Sequence, residues 1–168
     1  MFSEKFSLSE SFEIEHKGKT VRAFYNFDKK GEYILRFKFI STLSQYDQAI
    51  VLHLDSFVGK LYIDEKRLEI PKNKFPQIVL EEKNAPRQFD LKVQLEAGEL
   101  TICNGSDLLG TGAMWCSLDE GCAMIVDTVN ENHMVFYCND HENDDDFDDL
   151  IFEIEVIQEV EDEFKKEI

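Results

Sequence analysis

Tyr33-Ile34-Leu35-Arg36-Phe37-Lys38-Phe39 decides the fold class. Tyr33, Leu35, Phe37 and Phe39 recur at every second position, with the cationic Arg36 and Lys38 directed the other way. A strand with one face in a core and one in water presents side chains at that period, and a helix does not. The same alternation runs through Phe89, Leu91, Val93 and Leu95 against Asp90, Lys92 and Gln94, and through Leu150, Phe152, Ile154 and Val156. Weaker copies occur at Phe12 and Ile14 and along Val21, Ala23, Tyr25 and Phe27, where Phe24 falls on the opposite face. Ala49-Ile50-Val51-Leu52-His53-Leu54 is continuously apolar apart from its histidine, as expected of a strand covered on both sides.

Turn chemistry separates these runs. His16-Lys17-Gly18-Lys19, Asp28-Lys29-Lys30-Gly31, Asp64-Glu65-Lys66-Arg67, Ala97-Gly98 and Asn104-Gly105 are each expected to reverse the chain. About ten to twelve strands with turns roughly every eight to twelve residues imply an all-β fold, a single-domain β-sandwich of jelly-roll type. No internal repeat or linker interrupts it. Only the end changes period: Ile157, Val160, Phe164 and Ile168 recur at helical spacing, so residues 1–158 are read as the sandwich and 159–168 as a short, acidic C-terminal helix or tail.

The chain has 168 residues, 43% of them hydrophobic, and a formal charge of −17. That length supports a proper core in one domain. The charge is concentrated: from Asp140 onward there are 14 acidic and two basic residues. Nucleic-acid binding needs clustered Lys and Arg, so this balance argues against it and points to a metal ion or a basic protein. No stretch reaches the roughly 20 apolar residues of a membrane span. The start, Met1-Phe2-Ser3-Glu4-Lys5-Phe6-Ser7, lacks the layout of a secretion signal, so a cytoplasmic location is expected. Cys103, Cys116, Cys122 and Cys138 form no Cys-x-x-Cys pair, and they read as buried free thiols rather than zinc ligands or disulfides.

Between His133-Met134-Val135-Phe136-Tyr137-Cys138 and the strand starting at Leu150 lies an acidic loop with seven carboxylates from Asp140 to Asp149. So many anions held beside a sheet repel one another, and a hard cation would offset the repulsion. Asn139 and Asn143 offer amide oxygens, and Asp140, Asp144, Asp146, Asp148 and Asp149 offer carboxylates, the oxygen mixture that calcium takes. Phe147, the one apolar residue among them, is expected to anchor the loop in the core. The glycine and terminal Glu of a helix-loop-helix calcium site are lacking.

Asp145-Asp146-Phe147-Asp148-Asp149-Leu150-Ile151-Phe152 resembles the Asp-Phe-Asn-Asp-Leu-Val-Phe motif near the C-terminus of certain bacterial β-sandwich domains, with Asp148 where the motif usually has Asn. That resemblance implies calcium binding in the loop. More loosely, the strand order around Lys60-Leu61-Tyr62-Ile63-Asp64-Glu65-Lys66 is similar to the galactose-binding-like jelly rolls of carbohydrate-binding modules, where calcium is often structural.

No nucleophile elbow, phosphate loop or His-Glu-x-x-His occurs, and nothing singles out an acid pair for glycoside cleavage. The expected function is therefore a non-catalytic binding module, stabilised by calcium, for a carbohydrate or a protein. Trp115 and Tyr137 are the candidate ligand-binding aromatics, although core packing is the commoner role of such residues. His53 reads as a core or sheet-surface residue. The alternative is an acidic immunity- or inhibitor-type protein that covers a basic partner, with carboxylates steering association.

Overall fold

Strand β4 (Gly31–Thr42) buries Tyr33, Leu35, Phe37 and Phe39 and turns Arg36 and Lys38 outward, as its alternation requires. The computed structural model describes residues 2–116, 122–140 and 146–157. Among these, the chain is almost entirely β. In order, its other strands are β1 (Glu13–His16), β2 (Lys19–Arg22), β3 (Tyr25–Phe27), β5 (Gln48–His53), β6 (Val58–Ile63), β7 (Lys66–Arg67) and β8 (Gln77–Glu81). They continue with β9 (Gln88–Ala97), β10 (Leu100–Ser106), β11 (Ala123–Asn130), β12 (His133–Asn139) and β13 (Leu150–Ile157).

The strands form two antiparallel sheets. The larger has the order β1-β2-β11-β12-β13-β4-β9-β6-β7 and the smaller β3-β10-β5-β8. One hydrophobic core serves both: Leu35, Phe37, Leu91, Phe136 and Phe152 from the larger sheet cluster with Ile50, Leu52, Leu100 and Ile102 from the smaller. Phe136 stacks on its cross-strand partner Phe152 at 4.6 Å, and Phe37 on Phe89 at 5.0 Å. Tyr25 of the smaller sheet meets Phe136 edge-on at 5.3 Å. Each such pair contributes about 0.5–1.5 kcal/mol beyond the area it buries.

The hairpin turns follow their residues. Lys17 and Gly18 (φ 51° and 78°) join β1 to β2, and Asp64 and Glu65 (φ 50° and 64°) join β6 to β7. Two consecutive left-handed residues match the twist of the flanking strands. Ala97-Gly98 also turns the chain, but it carries it from β9 in the larger sheet to β10 in the smaller instead of closing a hairpin.

Asn104-Gly105 does not turn. The pair lies inside β10, opposite Ile50 and Ala49 of β5. Tertiary contacts override the local preference there. The buried Asn104 Nδ2 donates to the Asn139 carbonyl at 2.9 Å, and a Cβ on Gly105 would lie 3.1 Å from both Met114 Cβ and Val51 Cγ2. A side chain at 105 would lift the 114–116 segment off the sheet.

A helix absent from the sequence reading, α1 (Phe2–Ser9), packs by Phe2 and Phe6, four residues apart on one face. With Val21, Ala23, Ala123 and Phe147 they form a second, smaller cluster. The helix expected beyond Ile157 lies outside the described residues. Among the described residues no helix is long and apolar enough to cross a membrane. All four cysteines are buried free thiols.

Candidate functional site

Two places gather functional groups, the acidic corner between β12 and β13 and a cavity beside the smaller sheet. At the corner, the sequence-derived residues divide into two sets. Asn139 and Asp140 are buried at the end of β12. Asn139 Nδ2 donates to the Asp140 carbonyl at 2.9 Å, and Ser44 Oγ donates to Asp140 Oδ2 at 2.5 Å. Asp149, 3% exposed, accepts the Asp140 backbone N–H on Oδ2 at 2.9 Å. Its own backbone bonds the Cys138 carbonyl and the Leu43 N–H. These groups lock the loop base to β12 and to the chain leaving β4.

The second set is Asp146, Asp148 and Asp149, which bring carboxylate oxygens within 4.8 Å of one another. Phe147 sits between them in the left-handed conformation (φ 52°), sparsely populated for a bulky residue. Its ring packs edge-on against Phe2 at 5.4 Å. The expected anchor therefore exists, in the smaller cluster under α1 and not in the main core. Ion ligands 2.3–2.6 Å from a calcium stand at most about 5 Å apart, so the spacing of the three oxygens is compatible with such an ion. Among the described residues no ion pair engages Asp146 or Asp148. Asn143 and Asp144 lie outside the described residues.

Trp115 and Tyr137 are not brought together. Trp115 exchanges backbone hydrogen bonds with Ser106 at the end of β10, and its indole Nε1 is buried with no hydrogen-bond partner among the described residues. Tyr137 packs against the smaller cluster on the larger sheet.

The cavity, about 700 Å³, was not legible as a site in the sequence. Phe12, Phe24 and Phe75 line it together with Asn26, Gln77 and Glu99. Phe12 and Phe75 are 56% and 67% exposed, high values for large apolar rings. Phe24 meets Phe12 edge-on at 5.2 Å. It lies between β2 and β3, off the regular alternation, which explains its mismatched parity. Thr101 Oγ1 donates to Asn26 Oδ1 at 2.9 Å, orienting that amide.

His53 and Cys116 also border this cavity. In the β5–β10 register His53 faces Thr101 and Val51 faces Cys103. His53 and Cys103 are thus diagonal neighbours on one face of the sheet, and His53 Nε2 lies 3.1 Å from Cys103 Sγ. Burial pushes the Cys103, Cys122 and Cys138 thiols well above their ordinary range, and the Cys103 shift is reinforced by its hydrogen bond with Cys116. Comparison of the chain with protein-family models, curated proteins and solved structures finds no match.

Proposed function

We propose that the protein is a non-catalytic binding module with a galactose-binding-like, jelly-roll sandwich, that it holds a carbohydrate in the cavity beside the smaller sheet, and that calcium fixes its acidic corner. The lining of the cavity carries the reading. Apolar rings that stay exposed on a folded surface, next to amide and carboxylate groups, match the alternating apolar faces and hydroxyls of a sugar. Phe12 and Phe75 supply stacking surface, while Asn26, Gln77 and Glu99 supply donors and acceptors.

Trp115, the single tryptophan, adjoins the cavity-lining Cys116 and serves as a reporter. Titration with a panel of neutral oligosaccharides is expected to change its fluorescence saturably. Phe75→Ala is expected to weaken that binding about tenfold, as loss of an aromatic contact typically does, with stability changed by less than about 0.5 kcal/mol because the ring is exposed. A panel that leaves the fluorescence unchanged, or a Phe75→Ala protein that binds as well as wild type, counts against the cavity as a sugar site.

Calcium at the corner has its own check. At ten times its Kd an ion adds about 1.4 kcal/mol to stability, about 3–5 °C in Tm for a domain of this size. Calcium is therefore expected to raise Tm relative to chelator, and Asp146→Ala, which removes one of the three converging carboxylates, to abolish the difference. Identical melting curves with millimolar calcium and with EDTA would dispose of the ion.

A further inference from the structure

We propose that His53, Cys103 and Cys116 form a binding site for a zinc-class divalent ion at the cavity wall. It is separate from the calcium assigned to the corner and does not depend on a sugar occupying the cavity. A ring nitrogen of His53 and the sulfurs of Cys103 and Cys116 all lie within 4.8 Å of one another, with Nε2 3.1 Å from Cys103 Sγ. With Zn–S about 2.3 Å and Zn–N about 2.0–2.1 Å, the ligand atoms of a tetrahedral zinc stand about 3.5–3.8 Å apart. Movements of less than about 1 Å, within the reach of cysteine and histidine rotamers, would bring the three atoms onto one ion.

The fold gives each ligand a defined support. His53 and Cys103 come from adjacent strands as diagonal neighbours on one face. Phe24 meets the imidazole edge-on at 5.7 Å, restricting the ring plane. Cys116 is delivered by the segment that crosses the sheet at Gly105, whose missing side chain admits Met114 and the Trp115 carbonyl. The backbone bonds of Trp115 to Ser106 fix that segment one residue before the ligand. His53 Nε2 contacts Cys103 Sγ and Cys103 in turn hydrogen-bonds Cys116, so the three groups already meet at one point.

Both thiols would bind as thiolates, each releasing its proton to solvent. Imidazole and thiolate together select zinc-like ions over calcium or magnesium. Three protein ligands leave a fourth position. His53 and Cys116 both border the cavity, so that position faces it, where a water or an oxygen ligand can enter.

Cobalt(II) titrated into the reduced full-length chain tests the site with the metal alone. The expected result is the intense visible absorption of a tetrahedral cobalt–thiolate centre, bleached when zinc is added. His53→Gln and Cys116→Ser are each expected to weaken cobalt binding by more than the roughly 10–100-fold that supporting residues contribute, in proteins shown by circular dichroism to be folded. Cys103 is fully buried and its substitution risks the fold, so the half-buried His53 carries the test. Cys138→Ser, in a protein shown by circular dichroism to be folded, is expected to keep the spectrum. A folded wild-type protein without thiolate bands, or bands that survive His53→Gln, overturns the site. The spectrum is recorded without oligosaccharide, so metal binding and sugar binding stand or fall separately.

Discussion

Phe136→Ala is expected to lower the unfolding free energy by about 3–5 kcal/mol. Phe136 is fully buried on β12. It stacks on Phe152 at 4.6 Å with the rings nearly parallel and receives Tyr25 from the other sheet at 5.3 Å. Removing the ring leaves a cavity between two sheets whose hydrogen-bonded strands cannot collapse to fill it. A domain stabilised by about 5–15 kcal/mol loses a large share of its margin in this way. Urea denaturation checks the value through a lowered midpoint at unchanged slope. Val135→Ala, next in sequence but half-buried on the opposite face, is expected to cost less than about 1 kcal/mol. Similar losses at 135 and 136 would mean that β12 does not present this face to the core.

That prediction was available from the sequence in part. The alternation in Leu150–Val156 places Phe152 on an inner face, because a half-buried strand prints its period directly in its residues, whereas Met134, Val135, Phe136 and Tyr137 are all apolar and leave the inner face of β12 unmarked. The partner of each strand was not legible. Strands β4 and β13 pair although more than a hundred positions separate Leu35 from Val156, and nothing local encodes so distant a choice. Local signals also failed wherever a neighbour outweighed them. Asn104-Gly105 carries strong turn chemistry, yet one residue's amide is taken up by Asn139 and the other's lack of a side chain by Met114.

The sites divide along the same line. The acidic corner was visible because its groups are contiguous in sequence, and Asp146, Asp148 and Asp149 do converge. That Asn139 and Asp140 bond the loop base depends on Ser44, just past β4, and Asn104 of β10, both remote in sequence. The cavity draws on Phe12, Phe24, His53, Phe75 and Cys116, residues with no shared period or spacing. Only the exposed rings, once seen, mark it. Phe2 and Phe6 did offer a helical signal, their four-residue separation, but it was too brief to register beside the alternating strands.

Gly98→Ala is expected to cost about 3 kcal/mol or more, an effect of the size reserved for strain or overpacking. Gly98 has φ +76°, and a Cβ there would sit 1.6 Å from the Ser56 carbonyl oxygen and 2.6 Å from its carbon. Both atoms are backbone, so no rotamer change relieves the overlap. Gly18 separates the two parts of the penalty. Its φ is +78°, yet nothing lies within 4 Å of the position its Cβ would occupy. Gly18→Ala therefore reports only the left-handed backbone, about 1–2 kcal/mol, and the excess at Gly98 reports the contact with Ser56. That contact joins the crossover between the sheets to the cavity, because Ser56 and Glu99, on either side of the close approach, both line it. Gly98→Ala should then lower oligosaccharide affinity as well as stability, while Gly18→Ala, in the β1–β2 hairpin, should leave binding unchanged. Equal losses of stability at the two glycines would show that the chain does not pass this close to Ser56, and the cavity wall would have to be redrawn.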